Sequence, residues 1–541
     1  MRTLSCLGRK KIGSLSGNII TGFTLAALTV ALSSCGGSSK GGNNNAFVES
    51  WRSGIFEPSS KFAAMCASPR KGVDPYSGAA YPDKQGSYIT ENNWLRSWTN
   101  EYYLWYSEVA DNNPADYSTP AYFDLLKTMA TTDSGADKDK FHFSYDTATW
   151  ESLSYSGVEA GYGIRFALLS RTPPRSLKIG LVEPNAPAEV TNANLTRGAE
   201  IIAIDGIDLV NTTVASEIDA LNEAMSPDTV GESHRFSIRD VGATDAREVV
   251  LTSANVTTTP VQNVKTISGG SGTVGYLLFN DHIATAESEL VDAFTTLKNA
   301  NITDLVLDLR YNGGGYLDIA SQVAYMIAGA SATTGKIFEN IVFNDKHTIY
   351  NPFTGDLLAP TPFHNTTLGF STTPGQALPT LDLPRVFVLT TESTCSASEA
   401  IINGLRGIGV TVVEIGATTC GKPYGFYPED NCGTTYFSIQ FKGENEAGFG
   451  DYSDGFTPAN DAISGGVMVT GCAVADDFNH ELGNSSEAML AAALTYSAAA
   501  TCPAASYNYS PSHVSARSRS VLDVKPLHLS PLRENRILRK H

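Results

Sequence analysis

The chain has 541 residues, of which 42% are apolar, and a formal net charge of −18. This length exceeds one ordinary domain and the apolar fraction is enough for buried cores, so we expect two or three domains with additional segments. The acidic charge argues against the class of proteins that bind nucleic acid through a basic surface, and no nucleic-acid partner is expected.

The first 34 residues have the pattern of an export signal. Basic residues at the start precede an apolar run at 19–32, which is too short to span a membrane. The sequence LSSCG at 32–36 resembles a bacterial lipobox, which implies that Cys35 is lipidated and becomes the mature N-terminus. The alternative is an ordinary signal peptide with an incidental cysteine. We expect a tether over 35–75 and a protein anchored by acyl chains at a bacterial cell envelope, facing the periplasm at the outer membrane.

The region 76–155 has a helical pattern. From about Asn92, large apolar residues recur at steps of three and four: Trp94, Leu95, Trp98, Tyr102 and Trp105. Aromatic residues at helical spacing usually form a core. We interpret this region as a small N-terminal helical domain without catalytic residues.

From Gly157 the spacing of the apolar residues changes from the helical pattern to the pattern of strands, with candidate strands at 161–169 and 177–184. The segment NAPAEVTNANLTRGAEIIAIDGIDL at 185–209 follows, with a short helix, a Gly turn, a β-branched strand and an Asp-Gly hairpin turn. In this order the residues resemble a bacterial PDZ domain, which we place at 156–262. The resemblance implies that the peptide-binding loop consists of Gly161, Tyr162, Gly163 and Ile164.

Such a loop can recognise a chain end. Successive backbone N–H groups in a Gly-rich turn can hold a carboxylate, and the edge of the next strand can pair with an extended peptide. The expected partner is therefore a protein or peptide substrate that is bound through its C-terminus.

A third region, 263–502, alternates strands with helices, which predicts an α/β fold. The expected strands and helices lie at 274–280, 285–300, 304–329, 386–425, 434–443 and 485–500. The remainder, 503–541, has seven Lys or Arg against two acids and no apolar period, so we expect a disordered basic tail.

Two residues in the stretch 386–425 are candidates for chemistry. Ser396 lies at a strand-to-helix turn, where a helix N-terminus favours developing negative charge. Lys422 lies in the loop after the next strand, among uncharged residues. A lysine can act as the base for a serine hydroxyl when burial disfavours the charged amine. Each also has an ordinary explanation, since Ser396 and Glu399 fit a capping box and Lys422 could be a solvated loop residue.

The sequence DLRYNGGG at 308–315 is a strand that ends in glycines. A glycine turn lets backbone N–H groups approach a reacting carbonyl closely, as an oxyanion hole requires. The alternative is a tight turn before the helix that follows at 317–327.

Together, these motifs resemble the catalytic core of the C-terminal processing, tail-specific serine peptidases of the S41 type. DLRYNGGG matches the family's D-L-R-x-N-x-G-G motif, SASE at 396–399 matches S-A-S-E, and Gly421-Lys422 matches a Gly-Lys pair about 25 residues later. The resemblance implies an α/β fold whose core is the crotonase-like ββα peptidase type, with a PDZ domain before it and a small helical domain at the N-terminus.

The resemblance also implies the residue roles. Ser396 would be the nucleophile and Lys422 the general base of a Ser-Lys dyad. The oxyanion donors would be the N–H of Ala397 and of a glycine in the run, with Gly314 as the best candidate. No cofactor is implied.

Three positions depart from the family pattern. The acidic residue that some members have eleven positions after the nucleophile is Gly407 here, and the glutamine four after the lysine is Phe426. Lys422 is followed by Pro423 rather than by a small residue. The residue that orients the lysine is therefore not identified. The alternatives are a catalytically inactive peptide-binding lipoprotein scaffold and an esterase that uses the same serine.

Six cysteines follow Cys35, which allows up to three disulfides in fifteen connectivities. None has the C-x-x-C spacing of a zinc site, so no metal is expected. Cys395, next to Ser396, is either a nucleophile or half of a disulfide. We expect Cys420 to pair with Cys432, because that bridge would close a short loop around Lys422.

Overall fold

The computed structural model describes residues 51–190, 193–227, 229–269, 272–461, 465–503, 527 and 536–538. The signal peptide, the lipidation site Cys35 and the start of the tether lie outside the described residues. Within them, no helix combines the length and the apolar character that a membrane crossing requires.

Helices and short turns dominate residues 51–156. The longest helix begins where the Ser87 hydroxyl accepts the N–H of Thr90, and its buried face carries Trp94, Leu95 and Trp98, as the apolar period predicts. The elements are β1 (Met65–Cys66), β2 (Lys84–Gln85), α1 (Tyr88–Tyr102), α2 (Thr119–Asp124), β3 (Phe143–Asp146) and α3 (Thr147–Glu151), with 3₁₀ turns at Ser59–Lys61, Tyr106–Glu108 and Pro114–Asp116 and a π turn at Ser152–Ser156.

Residues 158–257 form a six-stranded antiparallel sheet, a separate two-stranded sheet of β4 and β11, and two helices. The elements are β4 (Val158–Gly161), β5 (Ile164–Ser170), β6 (Ser176–Val182), α4 (Pro187–Val190), β7 (Glu200–Ile204), β8 (Ile207–Asp208), α5 (Ala215–Met225), β9 (Ser233–Arg239), β10 (Arg247–Thr252) and β11 (Ala254–Thr257). The strand order is β10-β9-β7-β6-β5, so β5 is an edge strand among the described residues. Apolar residues of α5, among them Ile218 and Leu221, complete a separate core under this sheet.

Residues 261–499 alternate strands and helices, as the sequence predicts. The elements are β12 (Val261–Gly269), β13 (Gly272–Phe279), α6 (Ala286–Asn299), β14 (Asp304–Asp308), β15 (Gly315–Tyr316), α7 (Leu317–Thr333), β16 (Ile337–Phe343), β17 (Thr361–Pro362), β18 (Arg385–Thr390), α8 (Ala397–Gly407), β19 (Thr411–Gly416), β20 (Tyr424–Gly425), β21 (Glu429–Asn431), β22 (Thr434–Phe437), β23 (Phe441–Glu444), β24 (Phe456–Pro458), β25 (Val467–Val469), β26 (Gly471–Ala473) and α9 (Ala488–Ala499). One expected strand, 434–443, is instead two, β22 and β23, which belong to different sheets.

The central sheet has the order β12-β13-β14-β18-β19-β26, and all its pairs after β12–β13 are parallel. Both faces are covered, with α6, α7 and α8 packed in one apolar cluster and α9 in the other. A parallel sheet buried on both faces requires nearly continuous apolar strands, and β14 is buried along its whole length. Mixed α/β architecture is therefore confirmed.

The sheet topology brings three loops together. The strands β14, β18 and β19 are parallel neighbours, so their carboxyl ends meet at one edge. The glycine turn (308–315) follows β14, the serine turn (391–396) follows β18 and the lysine loop (417–423) follows β19. This edge is where a site built from the predicted residues must form.

Two features depart from the expected division into separate parts. In the N-terminal region, β3 pairs with β22, so that region adds a strand to the α/β part. Most of the tail 503–541, which we expected to be disordered, lies outside the described residues; among those that are described, β27 (Arg536–Ile537) pairs in parallel with β15.

Candidate active site

Ser396 has an unusual backbone. Its φ of 63° and ψ of −111° lie in a region that residues with a side chain rarely adopt, and such strain is retained mainly at functional sites. Its side chain is fully buried, and its hydroxyl has no hydrogen-bond partner among the described residues. A capping serine would use that hydroxyl to accept a helix N–H. The geometry therefore favours a reactive hydroxyl over a structural cap.

Glu399 forms the other half of the expected capping box and does more. Its Oε2 accepts the N–H of Ser396 at 2.9 Å and the N–H of Lys422 at 2.8 Å. Its Oε1 accepts the N–H of Gly421 at 2.8 Å and the hydroxyl of Thr419 at 2.5 Å. Burial raises the pKa of Glu399, and these four hydrogen bonds oppose the rise. One carboxylate thus fixes the serine turn against the lysine loop.

Lys422 is fully buried in the lysine loop. Its Nζ lies 4.7 Å from the centre of the Phe141 ring and 4.5 Å from that of Phe426. Gly421, just before it, has a φ of 79°, and a Cβ there would lie 2.3 Å from the carbonyl oxygen of Ser453, so only glycine fits. Phe141 comes from the N-terminal region, which sequence reasoning left without a part in the site.

The glycine turn is tied to the serine turn through Asn312. The Asn312 carbonyl accepts the N–H of Cys395 and the hydroxyl of Ser398, both at 3.0 Å. Its Oδ1 accepts the N–H of Gly314 at 3.0 Å. The proposed oxyanion donor Gly314 therefore already has a partner, and the neighbouring Gly315 is the alternative glycine donor. Ala397 lies in the first turn of α8, where helix N–H groups lack intrahelical acceptors.

Asp308 and Arg310 of the DLR sequence belong to a buried network of ion pairs next to the glycine turn. Arg310, which has no exposed surface, forms ion pairs with Asp308, Asp476 and Glu487. Glu487 also caps α9 by accepting the N–H groups of Met489 and Leu490. The network joins the end of β14 to the N-terminus of α9. Asp476 and Glu487 carry no motif, so sequence reasoning did not identify them.

Arg197, from the 158–257 region, extends this network. Its guanidinium donates to Asp476 at 2.5 Å and to the Tyr311 hydroxyl at 2.6 Å. Gly198 beside it is packed so closely that a Cβ would lie 2.0 Å from the Phe478 carbonyl oxygen. Arg197 thereby connects the antiparallel domain to Tyr311 of the glycine turn.

The predicted Cys420–Cys432 disulfide is wrong. The structure has Cys395–Cys420, Cys66–Cys432 and Cys472–Cys502. Cys395 and Cys420 follow the neighbouring strands β18 and β19, which brings their Cα atoms to 5.1 Å, whereas Cys432 lies beside the N-terminal region. Cys395 is therefore half of a disulfide, the second of its two expected alternatives.

One group of described residues has the proximity of a metal site. Side-chain atoms of Cys395, Glu399 and Cys420 lie within 4.8 Å of one another. Both cysteines are joined in a disulfide and so offer no thiolate. This group does not fit a metal ion.

The proposed peptide-binding loop lies in the antiparallel domain. Gly161 ends β4, Ile164 begins the edge strand β5, and Tyr162 is buried against Phe236. Gly163 has a φ of 75°, and a Cβ there would lie 2.1 Å from the Cβ of Ala186. The structure therefore places these residues at the start of β5, which is an edge strand among the described residues.

His282 supports the glycine turn from below. The imidazole Nδ1 lies 2.9 Å from Asn312 Oδ1. The backbone N–H of His282 donates to the Gly314 carbonyl, and the backbone carbonyl of His282 accepts the N–H of Tyr316. The imidazole is fully buried, and its Nε2 has no partner among the described residues. Burial lowers the pKa of His282 to about 3.

The structure predicts that His282 makes the protein sensitive to acid. The unfolded state takes up the proton near the ordinary pKa of about 6.5 and the folded state only near 3, so the stabilisation is complete above pH 6.5 and is lost as pH falls towards 3. Each pH unit in this window costs up to about 1.4 kcal/mol from this group. Urea unfolding between pH 4 and 7 should show a shallower pH slope for His282→Gln; an identical slope would contradict the assignment.

Comparison with known proteins gives similarities in the same region. Residues 273–425 match the model of peptidase family S41. The chain is 28% identical over 229 residues to carboxyl-terminal-processing peptidase 2, chloroplastic, of Arabidopsis thaliana, which covers 40% of this chain and 42% of the relative. It is 25% identical over 270 residues to the carboxyl-terminal-processing protease of Picosynechococcus sp., which covers 50% of this chain and 56% of the relative. The chain thus spans about half the length of the curated relatives it matches.

A solved structure assigned to the S41 proteases, from Bacteroides fragilis, resembles the fold over most of this chain. The TM-score is 0.54 at 22% identity, and the alignment covers 78% of this chain and 98% of the other. At this identity the likeness shows the fold alone. The matched segment 273–425 contains the glycine turn, Ser396 and Lys422, so the expected S41 resemblance is confirmed for the α/β region.

Proposed function

We propose that the chain is a serine endopeptidase that hydrolyses peptide bonds with Ser396 and Lys422. The observation that carries this proposal is the strained, buried Ser396, which Glu399 joins to the backbone of a buried lysine. The Ser396 hydroxyl has no hydrogen-bond partner within the described part of the chain. Similarity to family S41 over 273–425 supports the same reaction class.

In the proposed reaction, the neutral Lys422 amine accepts the proton of Ser396 Oγ as that oxygen attacks the substrate carbonyl carbon. The N–H groups of Ala397 and of a glycine in the glycine turn stabilise the developing oxyanion. The carbon–nitrogen bond then breaks, and the lysine proton passes to the leaving amine. Water loses a proton to the neutral Lys422 amine and attacks the acyl carbon. The bond between that carbon and Ser396 Oγ then breaks, Lys422 returns the proton to Oγ, and a new carboxyl terminus is released. No cofactor takes part.

The antiparallel domain supplies substrate capture in this proposal. Its edge strand β5 follows the glycine-containing turn Gly161–Ile164, an arrangement that suits β-strand addition by a peptide with its carboxylate at the turn. The domain would thus act as the predicted PDZ domain and bind protein C-termini. The lipobox sequence supports a location at the bacterial cell envelope, with Cys35 as the anchor.

The test is degradation of an unstructured protein by the wild-type chain and by Ser396→Ala, with substrates that end in apolar or charged residues. We expect cleavage by the wild type alone and a lower KM for the apolar ending. Intact substrate with both proteins, while its C-terminal peptide still binds, would instead support the inactive scaffold. Turnover of a short ester without any peptide hydrolysis would support the esterase.

A further inference from the structure

The C-terminal segment lies in the cleft beside the proposed catalytic residues. Arg536 and Ile537 pair in parallel with Gly315 and Tyr316 of β15. On its other side, Ile537 forms a parallel bridge with Phe426, whose carbonyl accepts the N–H of Leu538. The segment is therefore the middle strand between β15 and the chain that follows the lysine loop.

Both edges of this cleft belong to the proposed machinery. Gly315 ends the glycine turn, and the Phe426 ring lies 4.5 Å from Lys422 Nζ. Backbone groups along such edges require partners, and adjacent strands are about 4.8 Å apart. A cleft with a strand edge on each side is one strand wide and fits an extended peptide.

Ile537 is held by apolar contacts as well as by the backbone. It is only 3% exposed and belongs to the same apolar cluster as Phe426 and Tyr316. Ser396 and Lys422 are both fully buried, although a peptidase substrate has to reach them. The position beside Phe426 is thus an aliphatic subsite, and it is filled.

Leu527 provides a second contact ten residues earlier. It is fully buried in the apolar core of the antiparallel domain, and its N–H donates to the carbonyl of Arg171, just after the edge strand β5. One segment of chain thus has an aliphatic anchor in the proposed capture domain and another in the catalytic cleft.

We propose that residues 536–538, together with the contact made by Leu527, act as an intramolecular inhibitor that occupies the substrate cleft. This rests on the proposed peptidase function and names its substrate form, an extended peptide with an aliphatic residue in the Ile537 position. The basic character of residues 503–541, in a strongly acidic chain, favours the bound state of this segment. A tethered ligand competes at an effective concentration of about millimolar, so weak contacts are enough.

The activity test compares the full chain with a chain ending at Pro526 and with full-length Ile537→Asp. Both changes should raise kcat/KM for an unstructured protein by at least about tenfold, because the inhibitor is removed or weakened. A chain ending at Leu538 is the matched control, since it loses three residues and keeps the paired strand; its activity should equal that of the full chain. Equal activity in all four proteins would overturn the proposal and leave the peptidase function intact.

A binding test does not depend on turnover. A fluorescent peptide of residues 527–541 should bind the Ser396→Ala chain that ends at Pro526, and an Ile537→Asp peptide should bind at least about tenfold more weakly. Equal binding by both peptides, or none, would overturn the proposal. If the peptide binds as expected while no variant hydrolyses protein, the peptidase function fails and the cleft ligand stands.

Two measurements on the full chain need no truncation. Hydrogen exchange at Ile537 and Leu538 should be much slower than in the free peptide; exchange at the free-peptide rate would overturn the proposal. Intact masses of wild type and Ser396→Ala should show the same C-terminus at His541. Loss of the segment in the wild type alone would identify it as a substrate and overturn inhibition.

Discussion

Replacing Ser396 or Lys422 by alanine should abolish protein hydrolysis, and replacing both should cost no more than either change alone. The effects of substituting residues that act as one catalytic unit are not additive. Each substitution should lower kcat by a factor on the order of 10⁴. Lys422→Arg should not restore activity, because a guanidinium stays protonated and cannot accept the serine proton. Steady-state hydrolysis of an unstructured protein, measured at several pH values, provides the readout, and the wild-type rate should rise with pH.

Ser396→Gly is the control that separates catalysis from folding. Glycine adopts a φ of 63° without the strain that serine carries there, so this variant should be inactive yet at least as stable as the wild type. If Ser396 were only a helix cap, Ser396→Ala would cost about 1 kcal/mol of stability and leave activity unchanged. A folded Lys422→Ala protein that cleaves at the wild-type rate would remove the dyad from the mechanism.

Glu399→Gln should also lower activity strongly, by about 100-fold or more in kcat, and should destabilise the protein by several kcal/mol. All four groups that face the carboxylate are donors, so the glutamine NH₂ must face N–H or O–H groups and leave buried donors without acceptors. The serine turn and the lysine loop then lose their shared acceptor. Urea unfolding and kcat measured on the same protein test both effects.

Glu414→Gln is the matched control for Glu399→Gln. Glu414 is also fully buried, and burial raises its pKa well above the ordinary value, which favours the neutral carboxyl. It accepts one hydrogen bond, from the Thr390 hydroxyl, and its Oε2 has no partner among the described residues. A neutral amide of the same shape should therefore be tolerated. Equal losses in the two variants would mean that Glu399 acts only through general packing.

The sequence was informative where the signal is local. Alternating strands and helices predict parallel neighbours, and parallel neighbours bring the turns after Asp308 and Thr390 and the loop after Gly416 to one edge of the sheet. The turn that carries Ser396 and the loop that carries Lys422 thus lie at one edge of the sheet, while the catalytic roles of the two residues stay predictions. The strained φ of Ser396 has no sequence signature, because serine is common at ordinary helix starts.

The contacts that sequence reasoning missed all join distant parts of the chain. Phe141 reaches Lys422 because β3 pairs with β22, and Arg310 finds Asp476 and Glu487 across more than 160 residues. No residue pattern encodes such a partner. The burial of Ile537 is likewise not encoded locally, because it depends on β15, which a distant part of the chain provides.

The connectivity of the cysteines has a consequence for the order of events during maturation. Under the proposed export with cleavage before Cys35 and lipidation of that residue, Cys66 is the first free cysteine to appear and Cys395 the next, so an oxidant that joins cysteines as they appear would produce Cys66–Cys395. The native pairs are nested instead, with Cys395–Cys420 inside a loop closed by Cys66–Cys432. The early pair must be exchanged before Cys395 can join the lysine loop, and thiol–disulfide exchange requires a free thiolate. Disulfide isomerisation would then control when a newly made chain first becomes active.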